Sequence, residues 1–446
     1  MTQDSVQRVY APEEPLTPRE ARLVRAGEIL RWGAILNGAA ALLFILVGAV
    51  AGITENTSLF NSISDMFLSG YSGLADAALI GVVLLLLANV SALLVSMVGV
   101  VAQEFWSILL LIAIIVANII AIALLGFIAG VLAIAVAGYA GFVLLSDPRA
   151  FRINPVALKE LRERMRGARA FVVITVYLGL MSGFTILLYL IQRGIIQNDG
   201  SAVTGELGRT LFRGVVGIEL LLIVFIAPAF TAGAVSTERE RKTYDLLQIT
   251  LLPKPSFIIG KLESALGYIL LLLLAAIPLQ SIAFLFGGVS ESELLLAFII
   301  LTVSAITLGT VGLYFSTTVD RTLSASVRAY TVAFVVMIGI PLLLSFFISI
   351  FQDALQGNKT GIEVPVIETA LIYFGALLVS LNPLTTAVAS QQLLIDQQGL
   401  GFWQATIGDG TEIPLVSPWI TFTILYLVVS AVLVVLAVRR MRQVEA

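Results

Sequence analysis

The chain has no cysteine and no histidine. Their absence excludes disulfide staples, thiolate and imidazole metal sites, histidine-based zinc motifs and any nucleophile that needs an imidazole base. Charge is scarce as well. Only 12% of the residues are Asp, Glu, Lys or Arg, against 59% hydrophobic, and the mean hydropathy is +1.01. A chain this apolar is an integral membrane protein and not a water-soluble globule. The net charge of −3 says little, because in a membrane chain the placement of Lys and Arg carries the information. A phosphate-binding loop is missing too: the only Gly-Lys pair, Gly260-Lys261, is followed by Leu262 and has proline, not glycine, five residues before Gly260. Gly70-Tyr71-Ser72-Gly73 matches the serine motif of intramembrane proteases only superficially, since no histidine can take the hydroxyl proton. No catalytic residue, metal, cofactor or nucleic-acid site is expected.

What is present is a series of apolar runs about twenty residues long, enough to cross roughly 30 Å of hydrocarbon as helices. They must be helical, because lipid cannot satisfy free backbone N–H and C=O groups. The polar start, with Pro12, Pro15 and Pro18, lacks the apolar core of a cleaved signal, so 1–30 reads as a cytosolic tail. Spans are expected at 32–53 and 77–101, with a tight turn at Gln103-Glu104. The run 105–145 is too long for one crossing and should fold as a hairpin near Gly126 and Gly130. These four helices form a region over 31–147. The pairs Gly48/Gly52 and Gly126/Gly130 allow close helix approach, and Asn89 and Asn118 should hydrogen-bond within the bundle.

The stretch 146–170 carries Arg149, Arg152, Lys159, Arg162, Arg164, Arg166 and Arg169, which returns the chain to the cytoplasm. Asn154-Pro155 is a cap followed by proline at the first helical position. Leu158, Leu161, Met165 and Ala168 share one face, so an interfacial helix is expected over 154–170. Six further spans follow at 171–191, 215–235, 257–286, 294–318, 330–351 and 419–438. Within 352–417 the short run 366–381 ends at Asn382-Pro383. Were it to cross, Arg439, Arg440 and Arg442 would face outwards, so a re-entrant or outer-surface hairpin is expected. That choice places all but four of the 26 lysines and arginines inside, the exceptions being Arg193, Arg209, Arg213 and Lys359. Glu219 is the ionisable group expected inside a span, placed near the outer boundary as a partly hydrated carboxylate.

The stretch the chain is organised around is 236–263, STERERKTYDLLQITLLPKPSFIIGKLE. Thr237 and Glu240 have capping-box spacing, Glu238 precedes Lys242 by four, and Pro253 and Pro255 end the element, so a surface helix is expected over 237–249. Glu238-Arg239-Glu240-Arg241-Lys242-Thr243, then Asp245-Leu246-Leu247, then Gly260-Lys261-Leu262, resembles the coupling-helix signature of type-2 ABC exporter permeases. NPVALKELRERMRGARAF resembles the connecting helix before the first core span of the same family. The resemblance covers roughly 154–442 and not the first 150 residues.

It implies an all-α polytopic membrane protein with about ten transmembrane helices: a six-helix permease core over 148–446 behind the four N-terminal helices. Glu238, Arg239, Glu240, Lys242, Thr243, Asp245 and Leu246 would face a separate cytosolic ABC ATPase, and Glu160, Arg162, Arg164 and Arg166 of the interfacial helix would support them. A second permease chain and membrane lipid are the other implied partners, in a cell membrane with both termini cytoplasmic. The rival expectation is a non-transporting membrane scaffold or sensor.

Overall fold

The computed structural model describes residues 18–54, 75–145, 154–199, 204–243, 254–355, 365–397, 401–406 and 412–443. Outside them lie most of the tail, Gly70–Gly73, Arg149, Arg152, Pro253, Lys359, and Asp245 and Leu246 with the rest of 244–249. The described chain is helical apart from one β-hairpin, and it forms the polytopic bundle the hydropathy predicts.

The N-terminal region is four helices: α1 (Pro18–Thr54), α2 (Ala75–Val101), α3 (Phe105–Leu125) and α4 (Gly130–Leu145). The first begins well before the expected span. Leu23, Ala26 and Leu30, spaced three and four apart, are buried against α2, α3 and α4, so helix occupies the end of the expected polar tail. The turn at Gln103-Glu104 is present, with Gln103 left-handed. Gly126 closes α3 in the left-handed conformation that lacks a Cβ penalty, which turns the long apolar run into the expected hairpin. Asn89 and Asn118 exchange amide hydrogen bonds at 2.9 and 2.8 Å between α2 and α3. Leu124 and Phe142 are 66% and 73% exposed, as lipid-facing side chains are.

The remainder comprises α5 (Pro155–Met165), α6 (Ala168–Asp199), α7 (Thr204–Thr231), α8 (Ser236–Glu240), α9 (Lys254–Leu285), α10 (Glu291–Thr318) and α11 (Thr322–Phe334). A π-helical segment (Val335–Gly339) joins the last of these to α12 (Ile340–Leu355). Then come α13 (Pro365–Ser380), α14 (Pro383–Gln397), a hairpin of β1 (Phe402–Thr406) and β2 (Glu412–Val416), and α15 (Pro418–Gln443). Among the described residues nine helical stretches are long and apolar enough to cross a membrane. The 16-residue α4, about 24 Å long, makes the tenth apolar helix of the bundle. The core of the second half lies where α7, α9 and α10 pack, through residues such as Leu220, Ile269 and Leu301. The N-terminal region joins it because α2 packs along α15.

Two local expectations are corrected. The interfacial helix stops at Met165, not at 170: Arg166 is extended and Gly167 is left-handed, so Ala168 opens the next span. The all-helical reading also misses the β-hairpin, whose Leu415 packs with Trp403 against Ile372 of α13.

The bend at Asn382-Pro383 is real. The axes of α13 and α14 meet at 116°. Asn382 Nδ2 donates to the Val336 carbonyl at 2.6 Å, satisfying backbone that the π-helical segment frees. Tyr426, eight residues into α15, donates to the Leu381 carbonyl at 2.7 Å, so the tip is held at depth. Irregular backbone survives there because it is packed in protein. Asn382→Ala should destabilise the protein by about 1 kcal/mol; denaturant unfolding in micelles measures this, and an unchanged midpoint would remove the tip amide from the account.

A polar junction at the basic end of the bundle

The side chains singled out by sequence meet at the end of the bundle that carries α5. Asn154 caps that helix, accepting from Val156 N at 3.0 Å and Ala157 N at 3.4 Å, with Pro155 at a position where no N–H is needed. The other end of its amide ties together two more elements. Nδ2 donates to Glu104 Oε1 and to the Ser256 carbonyl, both at 2.6 Å. A Cβ at Gly260 would lie 2.7 Å from Asn154 Oδ1, so only glycine lets α9 come this close.

The next residue of α9, Lys261, is 6% exposed. Its ammonium reaches Glu160 Oε1 of α5 at 2.8 Å and Glu238 Oε1 of α8 at 3.3 Å. Ser264 donates to Glu160 Oε2 at 3.1 Å, Arg164 lies 3.9 Å from the same oxygen, and Arg164 also donates to the Phe230 carbonyl of α7 at 3.3 Å. One buried cation therefore joins three separate elements, and its two carboxylates are fixed by further donors.

The coupling segment is interrupted within its first turns, and 244–249 lie outside the described residues. Helix α8 ends at Glu240, and Lys242 is left-handed at φ 56°. The Thr237–Glu240 capping box does not form. Ser316 Oγ, at the end of α10, accepts from the first N–H groups of α8, those of Val235 and Ser236, at 2.8 and 3.0 Å. Glu240 turns away to α11, accepting from Thr322 N at 2.8 Å and from the Thr322 hydroxyl. Arg239 meets Asp320 at 3.2 Å, and Thr243 donates to Glu238. Of the expected partner-facing residues, Glu238 thus holds α8 to α9, Arg239 to the turn between α10 and α11, and Glu240 to α11, while Thr243 braces Glu238. Arg241, which the expectation passed over, and Lys242 are exposed. On α5, Arg162 and Arg166 are exposed along an open groove with Leu158 and Lys159, whereas Glu160 and Arg164 point into the junction.

The turn between α2 and α3 completes the junction. Glu104 is 2% exposed, and Trp106 Nε1 donates to Glu263 Oε1 at 2.7 Å. Burial, reinforced by the nearby Glu263 charge and opposed by the Asn154 hydrogen bond, pushes the Glu104 carboxyl up to about 7. Sequence reasoning missed Lys261, Glu104 and Glu263 as members. The available signal was a lysine and a glutamate within the first third of an apolar helix, where ionisable groups need partners.

A second polar cluster lies inside the bundle. Glu219 is 0% exposed and is bonded by Gln280 Nε2 at 2.5 Å and by the Tyr177 hydroxyl at 3.3 Å. It is eleven residues along α7 from Phe230, hence about 16 Å from the level of α5. The expected partly hydrated carboxylate is instead wholly buried. No family model matches this chain, and no curated protein matches it.

Lys261→Met leaves Glu160 and Glu238 facing each other with no cation between them. A loss of about 2 kcal/mol is expected, less than for a wholly buried pair because both carboxylates are partly exposed. Lys261→Met combined with Glu238→Gln should lose less than the sum of the single changes, as measured by unfolding in detergent; additive losses would dissolve the proposed coupling. For Glu104 the folded value exceeds the ordinary 4.5, so its stabilising proton is held below pH 4.5 and lost as pH rises through about 7. Thermal stability should fall across that window, and Glu104→Gln should flatten the fall; identical pH profiles for both proteins would remove Glu104 as the cause.

Proposed function

We propose that the chain is the membrane subunit of an ATP-driven exporter of the type-2 ABC class, moved by a separate cytosolic ATPase. The observation that carries the proposal is the bridge from Lys261 to Glu160 and Glu238. It locks the segment resembling a coupling helix to the segment resembling a connecting helix and to the start of a span. The turn 232–235 joins α8 directly to α7, so a push on α8 reaches α7 through the backbone, α9 through Lys261, and α10 and α11 through Ser316 and Glu240. Polar links of this kind transmit displacement because breaking any one leaves a buried group unpaired.

The chain supplies no phosphate loop, and ATP hydrolysis falls to the partner. The exposed Arg241 and Lys242 after α8, with the exposed Arg162 and Arg166 at the same basic end, form the docking face. Asp245 and Leu246 extend it by resemblance. Two such membrane chains, identical or related, would frame the path, in a cell membrane with both termini cytosolic. The least covered spans are 170–193 and 322–351, where only 11% of an apolar 18-residue stretch of each is buried within the chain; lipid and a second chain share these faces.

The test is co-expression with an ATPase encoded beside this chain. Arg241→Glu with Lys242→Glu should leave the membrane chain folded and lower the ATP turnover of the complex about tenfold, a loss of roughly 1.4 kcal/mol of productive docking. A complex of unchanged composition and turnover would withdraw the docking face.

A further inference from the structure

Glu219 has no role in the junction at the basic end, and its surroundings are unusual for a carboxylate. Its two partners are a neutral amide from α9 and a neutral phenol from α6. Neither supplies a counter-charge, and a wholly buried lone carboxylate is too costly to keep ionised and unpartnered. Gln280, 1% exposed, has a second peculiarity: its Oε1 is buried with no hydrogen-bond partner. Buried polar atoms are almost always satisfied, so this acceptor calls for a donor.

The surrounding elements do not provide one. Among the described residues, α6 presents Tyr177, while Tyr268 of α9 bonds the Ala170 carbonyl nearer the basic end. Tyr330 of α11 is committed to the Phe225 carbonyl at 2.9 Å. The acidic residues of α10 and α14, Glu291, Glu293 and Asp396, sit at helix ends far from the basic face. Arg213, six residues from Glu219 on α7, donates to Gln391 at 2.7 Å.

A proton on Glu219 removes the uncompensated charge and offers Gln280 Oε1 a donor. We propose that Glu219, Gln280 and Tyr177 form an intramembrane proton-binding site. Ionised, Glu219 accepts from Gln280 Nε2, the arrangement seen. Protonated, its new O–H donates to Gln280 Oε1 once the amide turns over by half a rotation, an exchange that leaves backbone and packing in place. One O–H bond forms on uptake and the same bond breaks on release; nothing else changes covalently. A small pocket between α7, α10 and α14 is lined by Val216 and Gly217, three and two residues before Glu219, and by the charged Arg213 and Glu293. Because α7 and α9 flank the coupling segment, their relative movement would alter the grip on the proton. The site stands on its own geometry, whichever engine drives the chain.

The full chain reconstituted in liposomes provides the test, by infrared difference spectroscopy between about pH 5 and pH 9. A protonated-carboxyl C=O stretch that rises as pH falls and vanishes in Glu219→Gln is the expected result. Gln280→Leu, which removes the switching amide, should shift its midpoint by at least about tenfold in proton concentration. Circular dichroism and monodisperse gel filtration confirm that each variant is folded. Absence of any band sensitive to Glu219→Gln overturns the site, as does a band that does not move with pH. Loss of the band when sodium replaces potassium at fixed pH would also overturn it, assigning the cluster to a metal cation instead.

Discussion

A single ammonium group sets the architecture of the basic end. Lys261 enters the bundle on an apolar helix and is almost wholly removed from water, which costs several kcal/mol unless the charge is answered at close range. The answer comes from two carboxylates on two other elements, Glu160 and Glu238. The same requirement spreads outward. Glu160 is steadied by Ser264 and Arg164, Arg164 reaches the α7 backbone, and Glu238 is steadied by Thr243. The short α8 could not persist by itself at five residues, being far below the length at which isolated helices hold together. It exists because its N–H groups, its acidic side chains and its arginine are each taken up by neighbouring elements.

The lipid imposes the complementary rule that every interruption of a helix must be satisfied from within the protein. Four asparagines do this work. Asn154 caps α5 while holding the α2–α3 turn and α9; Asn382 reaches the carbonyls of the π-helical segment; Asn89 and Asn118 complete each other. The N-terminal region is therefore a built-in part of the bundle. It is held by Glu104 and Trp106 at one end and by the packing of α2 on α15 along its length.

Much of this was legible in advance where the physics is local. The Gln103-Glu104 turn, the hairpin at Gly126, the Asn154-Pro155 cap and the break at Asn382-Pro383 all follow from turn and cap chemistry. The spans follow from hydropathy, with ends misplaced by up to fourteen residues because a helix continues past the apolar run when neighbours bury it, as α1 does. The Thr237–Glu240 spacing misled because the same pattern competes with long-range partners. Ser290 and Glu293, with the identical spacing, do form the reciprocal cap of α10. Glu240 instead has the free N–H of Thr322 within reach, and Ser316 already serves α8. The β-hairpin was missed because five-residue strands holding a glutamine and a proline have no periodic signature and are shaped by packing on α13.

Composition and apolar run length determined that this chain lives in a bilayer as a helical bundle, since twenty apolar residues with no water have one stable backbone. Charge asymmetry and Asn382-Pro383 pointed to the break between α13 and α14, whose axes meet at 116°. Only the tertiary structure decided which charges face each other, because ion pairs such as Lys261 with Glu160 join positions about a hundred residues apart with no pattern linking them. Only it showed that Glu219 is wholly buried, since burial depends on which neighbours a helix meets and not on where its apolar run begins.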